Sequence, residues 1–326
     1  MRAPQARLGG MISPVAEGQA AETAFEGDCR SSRSLWPGFA SDLERTTGEV
    51  VGLDMTGNVL VALDDQRARA LERRAAVGDG ELWRTGPEIE PALSTRISGV
   101  FVAGRDGVVD PRRTLFALAQ ALDTCGAKRI RARVERIAID HGSATGVAVD
   151  GRVCGADAVV LAAGVWGSRL LAASGLERLV PSLEPVKGQM LSMRAPVQLR
   201  RVVRGQSHYL IPRGDLVVVG STSEPGRFDA EITPEAIGAL RQGAEALVPA
   251  LASAEVVEAW AGLRPAFPSG LPLVGPSAIP GLFLALGHYR NGVLMAPLTA
   301  VRVANDILDG REAGDLGFRA SGAGYK

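Results

Sequence analysis

Two hydrophobic periods alternate along this chain. Residues 16–47 read as helical, with Pro37 expected to interrupt the run. Short alternating segments follow at 50–53 and 59–63, parted by the turn residues Thr56-Gly57-Asn58, and Asp64 is placed to cap a charged helix over 66–77. The stretch VVDPRRTLFALAQALDTCG carries full helix punctuation, with Asp110 as N-cap, Pro111 at the first position and Gly126 as the stop. Strand patterns at 128–133, 135–140 and 145–149 lead into ADAVVLAAGVWG. That continuous apolar run entering a glycine turn is the pattern of a parallel strand covered on both faces.

From Val186 the pattern changes. KGQMLSM, VVRG, HYLIP and LVVVGST are short strands with little helix between them, which predicts an antiparallel or mixed sheet interrupted by one helix over 234–247. A strand over 255–263 precedes GLFLALGHYRNGVLMAPLTA, residues 281–300, which reads as a buried strand, a glycine turn and a helix ending near Asp309. A strand that feeds a helix through glycine aims the helix's free N–H groups beyond the sheet, where they favour an anionic or electron-rich group. Gly287 and Gly292 let the backbone approach a flat ligand, and Pro297 falls early in the helix.

Parallel α/β character therefore brackets a β-rich region, which predicts two domains sharing a discontinuous chain. With 326 residues, 46% of them hydrophobic, the chain is long enough to bury such cores. Its 36 basic and 36 acidic residues balance, which argues against a nucleic-acid or anionic-membrane partner held by bulk charge. Cys29, Cys125 and Cys154 lack metal-ligand or redox spacing, so no metal site is expected and buried thiols in a reducing compartment are. The first residues hold no signal-peptide core and no apolar run reaches bilayer length, so a cytoplasmic protein without a membrane span is expected.

Four stretches together resemble the FAD-dependent D-amino-acid oxidase family and, within it, the glycine oxidases of thiamine biosynthesis. They are LGGMISPVAEG (8–18), VKGQMLSMR (186–194), HYLIPRGDLVVVGSTSEPGRFD (208–229), and WAGLRPAFPSGLPLVG with GLFLALGHYRNGVLMAPLTA (260–300). The resemblance implies an α/β (α+β) fold in which a Rossmann-like FAD-binding domain accompanies a substrate domain with a mixed or antiparallel sheet. It divides the chain into 1–48 with 106–182 and 266–326 for the cofactor, and 49–105 with 183–265 for the substrate.

By the same resemblance FAD is the cofactor, bound by Gly9, Gly10 and Met11, Val134, Ala163 and Gly164, and by His288, Tyr289, Arg290, Asn291, Gly292, Val293 and Leu294 around the flavin ring. Arg264 in GLRP matches the arginine that binds the substrate carboxylate, a role a guanidinium fork suits because it pairs bidentately. Tyr209 matches a tyrosine reaching that carboxylate. Arg290 either joins them or balances flavin charge. His288 reads as structural or as a backbone contact, His141 as an exposed turn residue, and Arg129, Arg131 and Arg133 as the solvated face of a strand.

The implied reaction is dehydrogenation of a small amino acid to an imine, with oxygen as the partner and hydrogen peroxide as a product. No side-chain acid or base is required for it. A sarcosine oxidase or D-amino-acid dehydrogenase of the same superfamily is the alternative, and a homo-oligomer stays open. Members of the family begin with a strand–G-x-G-x-x-G–helix unit for the pyrophosphate. This sequence contains no such motif, and about 40 residues are expected to be missing, judged against the ~30-residue βαβ unit and its flanks. Three readings follow: an incomplete record of an active oxidase, a non-catalytic remnant, or one half of a split flavoprotein.

Overall fold

A computed structural model describes residues 9–14, 23–76, 80–83 and 85–310. The first long helix runs Ala24–Thr47 from a capping box in which Thr23 and Glu26 satisfy each other's backbone N–H groups. The expected start at residue 16 lies outside the described residues. The expected break at Pro37 does not occur. Proline removes one internal bond, but the buried face carrying Cys29, Trp36, Ala40 and Leu43 packs against helices Gly292–Leu308 and Pro111–Thr124, and that burial holds the helix together.

A nine-stranded mixed sheet dominates the rest. Its strand Glu184–Arg194, next to one edge, pairs along its length with Val256–Ala266 and, on its other side, with Leu216–Gly220 and Glu224–Pro225. The sheet continues through Tyr209–Arg213, Val202–Arg204, Asn58–Ala62, Gly99–Ala103 and Glu81–Trp83, and the pair Val202–Arg204 with Asn58–Ala62 is its parallel junction. Helix Pro234–Leu247, capped by Thr233, covers one face with Leu240, Ala244 and Leu247. A separate three-stranded sheet places Leu282–Leu286 between Leu273–Pro276 and Val159–Leu161, the latter pairing parallel as the apolar run predicts.

Two expected strands are absent. Residues 50–53 form none, and only Asp54 bridges Val108, because Val51 is buried among helix side chains instead of pairing. Residues 128–133 form none either. Arg129 pairs with Asp123 at the end of the preceding helix, and Arg131 and Arg133 stand in solvent without a strand to alternate on. Helix caps fare better: Asp64 accepts from Arg67 N–H, and Asp110 from those of Arg112 and Arg113. The expectation of buried thiols holds for Cys29, whose burial pushes its pKa up to about 12, and fails for Cys125 and Cys154, which are exposed. His141 is exposed in its turn. No helix among the described residues is long and apolar enough to cross a membrane.

Candidate active site

A cavity of about 670 Å³ opens where the two sheets and the helix Gly292–Leu308 meet. One wall is built by glycine. Gly10 sits at φ +82 with its Cα over the backbone of Val109, where a β-carbon would lie 2.0 Å from the Val109 carbonyl oxygen. Beside it Gly9 faces the Tyr209 hydroxyl, which a β-carbon would meet at 3.0 Å. Arg213 ties this loop down: its guanidinium donates to Gly9 O and to Val109 O, with Asp110 nearby. Sequence reasoning missed Arg213, because nothing local marks a hairpin arginine that reaches a loop 204 residues away.

The second wall is the turn after Leu282–Leu286. Gly287, at φ +76, lies against Phe267, where a β-carbon would be 2.1 Å from the ring. Tyr289 takes the left-handed conformation at φ +48, a strained one for a side-chain-bearing residue, and its N–H donates to Pro265 O. His288 bridges Ala266 and shares a hydrogen bond with Thr299 Oγ1 at 2.9 Å. Burial lowers the His288 pKa to about 4, so the ring is neutral near pH 7 and suits a structural role. These contacts pin the start of the helix to the end of the strand carrying Arg264.

At that start, Gly292 and Val293 line the cavity, and the cap residue Asn291 makes no side-chain capping bond. The first-turn N–H groups have no partner within the helix. Farther along, Pro297 interrupts the internal ladder, and Ser32 reaches in from the neighbouring helix. Its hydroxyl donates to Leu294 O and accepts from Leu298 N–H, while Trp36 Nε1 also donates to Leu294 O.

Opposite stands Arg264. It crosses in front of Gly188 on the adjacent strand and donates through Nη2 to Ser221 Oγ at 2.5 Å and through Nη1 to Thr222 O at 3.3 Å. Both acceptors are neutral, and no carboxylate among the described residues pairs with it. Tyr209 lies flat on Gly220, its partner in the sheet, and its hydroxyl contacts Met190 sulfur.

The structure thus gathers Gly9, Gly10, Met11, Gly164, Tyr209, Arg264, His288, Tyr289, Arg290, Gly292 and Val293 around one cavity. Val134, Ala163, Asn291 and Leu294 do not line it: Val134 precedes the strand Arg136–Asp140, and Leu294 points into the helix core. Gly188, Ser221 and Thr222 belong to the site without having been singled out. For Gly188 a signal existed, since a glycine inside a strand marks a close approach. Nothing in the described residues groups as a metal site.

Residues 5–305 match the family described as DAO, FAD dependent oxidoreductase. The chain is 35% identical over 295 residues to a glycine oxidase of Geobacillus kaustophilus, covering 86% of this chain and 77% of that one. It is 34% identical over 313 residues to the bifunctional protein ThiO/ThiG of a Nostoc species, covering 92% of this chain but 46% of the longer protein. This chain therefore spans about half the length of that relative. The crystal structure of the Geobacillus kaustophilus glycine oxidase superposes with a TM-score of 0.87 at 32% identity, covering 97% of this chain and 87% of that one.

Proposed function

The chain belongs to the FAD dependent oxidoreductase family, and from that membership and the cavity we propose that it oxidises a small amino acid, glycine foremost, with FAD as cofactor and oxygen as acceptor. The reaction is glycine plus oxygen and water giving glyoxylate, ammonia and hydrogen peroxide. Kinship with glycine oxidases and with ThiO/ThiG supports this reading, and thiamine biosynthesis is the setting proposed for it.

The observation that carries the reading is the unpaired charge of Arg264 facing the cavity across from a helix start. Of the five guanidinium N–H donors, two serve Ser221 and Thr222, which leaves the remainder for a carboxylate. Tyr209 is the second donor to that carboxylate, and Arg290, at the helix start, adds positive charge. The residues fit a flat ring. Gly9, Gly10 and Gly287, which let the backbone pack closely, and the helix-start residues Gly292 and Val293 line the space such a ring would occupy, and a helix N-terminus there favours negative charge. Bound there, FAD would supply the two-electron redox chemistry that links amino-acid oxidation to oxygen.

The protein's own part is orientation. Arg264 and Tyr209 fix the carboxylate, so the Cα–H bond has one direction, and apolar residues such as Leu115, Val165 and Leu263 limit water at the reacting carbon. Neutral His288 holds the helix start and takes no proton.

The two-part division into 1–48, 106–182 and 266–326 against 49–105 and 183–265 belongs to the same proposal. One core, from Val59 to Ala254, lies wholly within the second part. Val51 joins the first part's core from just beyond its boundary. The cysteines are free, which fits cytoplasmic residence. The test is to purify the chain with FAD supplied and measure bound flavin together with peroxide released on glycine, sarcosine and D-alanine. Flavin retained at one per chain with glycine preferred supports the reading, and no flavin retained defeats it.

A further inference from the structure

The chain contains three lysines, Lys128, Lys187 and Lys326, and Lys187 is fully buried in the strand Glu184–Arg194. Buried ammonium groups require paired, well-placed partners. Lys187 Nζ lies 2.5 Å from Asp229 Oδ1 and 3.9 Å from a Glu224 carboxylate oxygen. Both acids sit on the segment 221–233 that folds back over the strand, and that segment begins with Ser221 and Thr222, the two acceptors of Arg264.

The tripeptide Lys187-Gly188-Gln189 divides the work by strand alternation. Gly188 faces the cavity and leaves space for the Arg264 guanidinium. Lys187 and Gln189 face the other side. Gln189 N–H donates to Thr222 Oγ1, and its side chain donates to Glu224 and Thr233 while accepting from Thr233 N–H. Thr222 Oγ1 in turn donates to Glu224 Oε1 at 2.6 Å. A continuous polar path therefore runs from Lys187 through Glu224 and Thr222 to Arg264. Desolvation works to raise the Glu224 pKa, yet the bonds from Thr222 and Gln189 with the charges of Lys187 and Arg227 leave it lowered. The Lys187 and Arg227 bonds lower that of Asp229. Both acids are thus carboxylates at neutral pH.

Resting on the reading of Arg264 as the carboxylate site, we propose that Lys187 is a positioning residue for Arg264: its buried ammonium fixes the segment 221–233, which in turn sets the guanidinium's angle. Lys187 does not line the cavity that holds Arg264 and takes no part in the reaction itself.

Lys187→Met alone leaves Asp229 without its partner and is expected to lose stability. The informative variant is Lys187→Met with Asp229→Leu, which replaces the pair by apolar groups. In the FAD-loaded chain, the inhibition constant of acetate and the KM for glycine should each rise about tenfold, while kcat, the Kd for FAD and the melting temperature stay close to wild type. A merely structural pair would move the melting temperature and leave acetate affinity alone. A well-folded double variant that binds acetate as wild type does overturns this proposal only. A wild type that binds FAD but no acetate overturns the Arg264 reading, and this proposal with it.

Discussion

The Arg264 guanidinium occupies the space that a side chain on Gly188 would need: a β-carbon there would lie 2.2 Å from Nη2 and 2.6 Å from Cζ. The residues sit on adjacent strands, with Gly188 opposite Gly262 and Arg264 opposite Val186, so the guanidinium crosses its neighbour diagonally. Gly188→Ala should therefore displace Arg264 while leaving the sheet paired. We expect the KM for glycine to rise about tenfold or more, with a small change in melting temperature, read from steady-state kinetics and thermal unfolding.

Gly10 and Gly48 both lie at positive φ, but only Gly10 is crowded by backbone. Gly48→Ala should cost about 1 kcal/mol, the left-handed penalty alone. Gly10→Ala adds a clash with the Val109 carbonyl and should cost about 2–4 kcal/mol and weaken FAD binding. Urea midpoints of the two variants isolate the effect of the close approach.

Arg213 holds the Gly9 loop through two carbonyl bonds, and burial lowers its pKa without discharging it. Arg213→Met should free that loop, weakening FAD about 5- to 30-fold, an effect of about 1–2 kcal/mol, measured by fluorescence titration. An unchanged Kd would make the tether irrelevant to the cofactor.

His288 supplies a pH dependence of stability with a fixed sign. Its folded pKa, about 4, lies below the ordinary 6.5, so the unfolded chain binds the extra proton between those values. Its stabilising contribution is complete above pH 6.5 and is lost as pH falls toward 4. The stability difference between wild type and His288→Gln should shrink over that window and stay flat from pH 7 to 9, as read from urea midpoints. The kcat–pH profile should show no inflection that His288→Gln removes.

Much of the site was legible in the sequence because its signals are local. The Gly287–Gly292 turn announces a helix start facing a ligand, and WAGLRP presents Arg264 at the end of a strand. Asp64 and Asp110 cap helices because capping depends on neighbours three residues away. What the sequence hid depends on distant partners. Pro37 looked like a break because local propensity cannot register the helices packed on Trp36 and Leu43. Residues 128–133 alternate as a strand would, yet no strand pairs with them among the described residues. Nothing local marks Lys187 or Arg213, because only the fold brings Asp229 to one and the Gly9 carbonyl to the other.

The central claim is that Arg264 holds the carboxylate of an amino acid undergoing oxidation. The direct test is kcat/KM for glycine, followed as hydrogen peroxide release by the FAD-loaded chain, in wild type and in Arg264→Met. Two charge-assisted bonds at about 1.5 kcal/mol or more each predict release by the wild type and a fall of about 100-fold or more in the variant, carried mainly by KM. Equal kcat/KM in the two proteins would contradict the account.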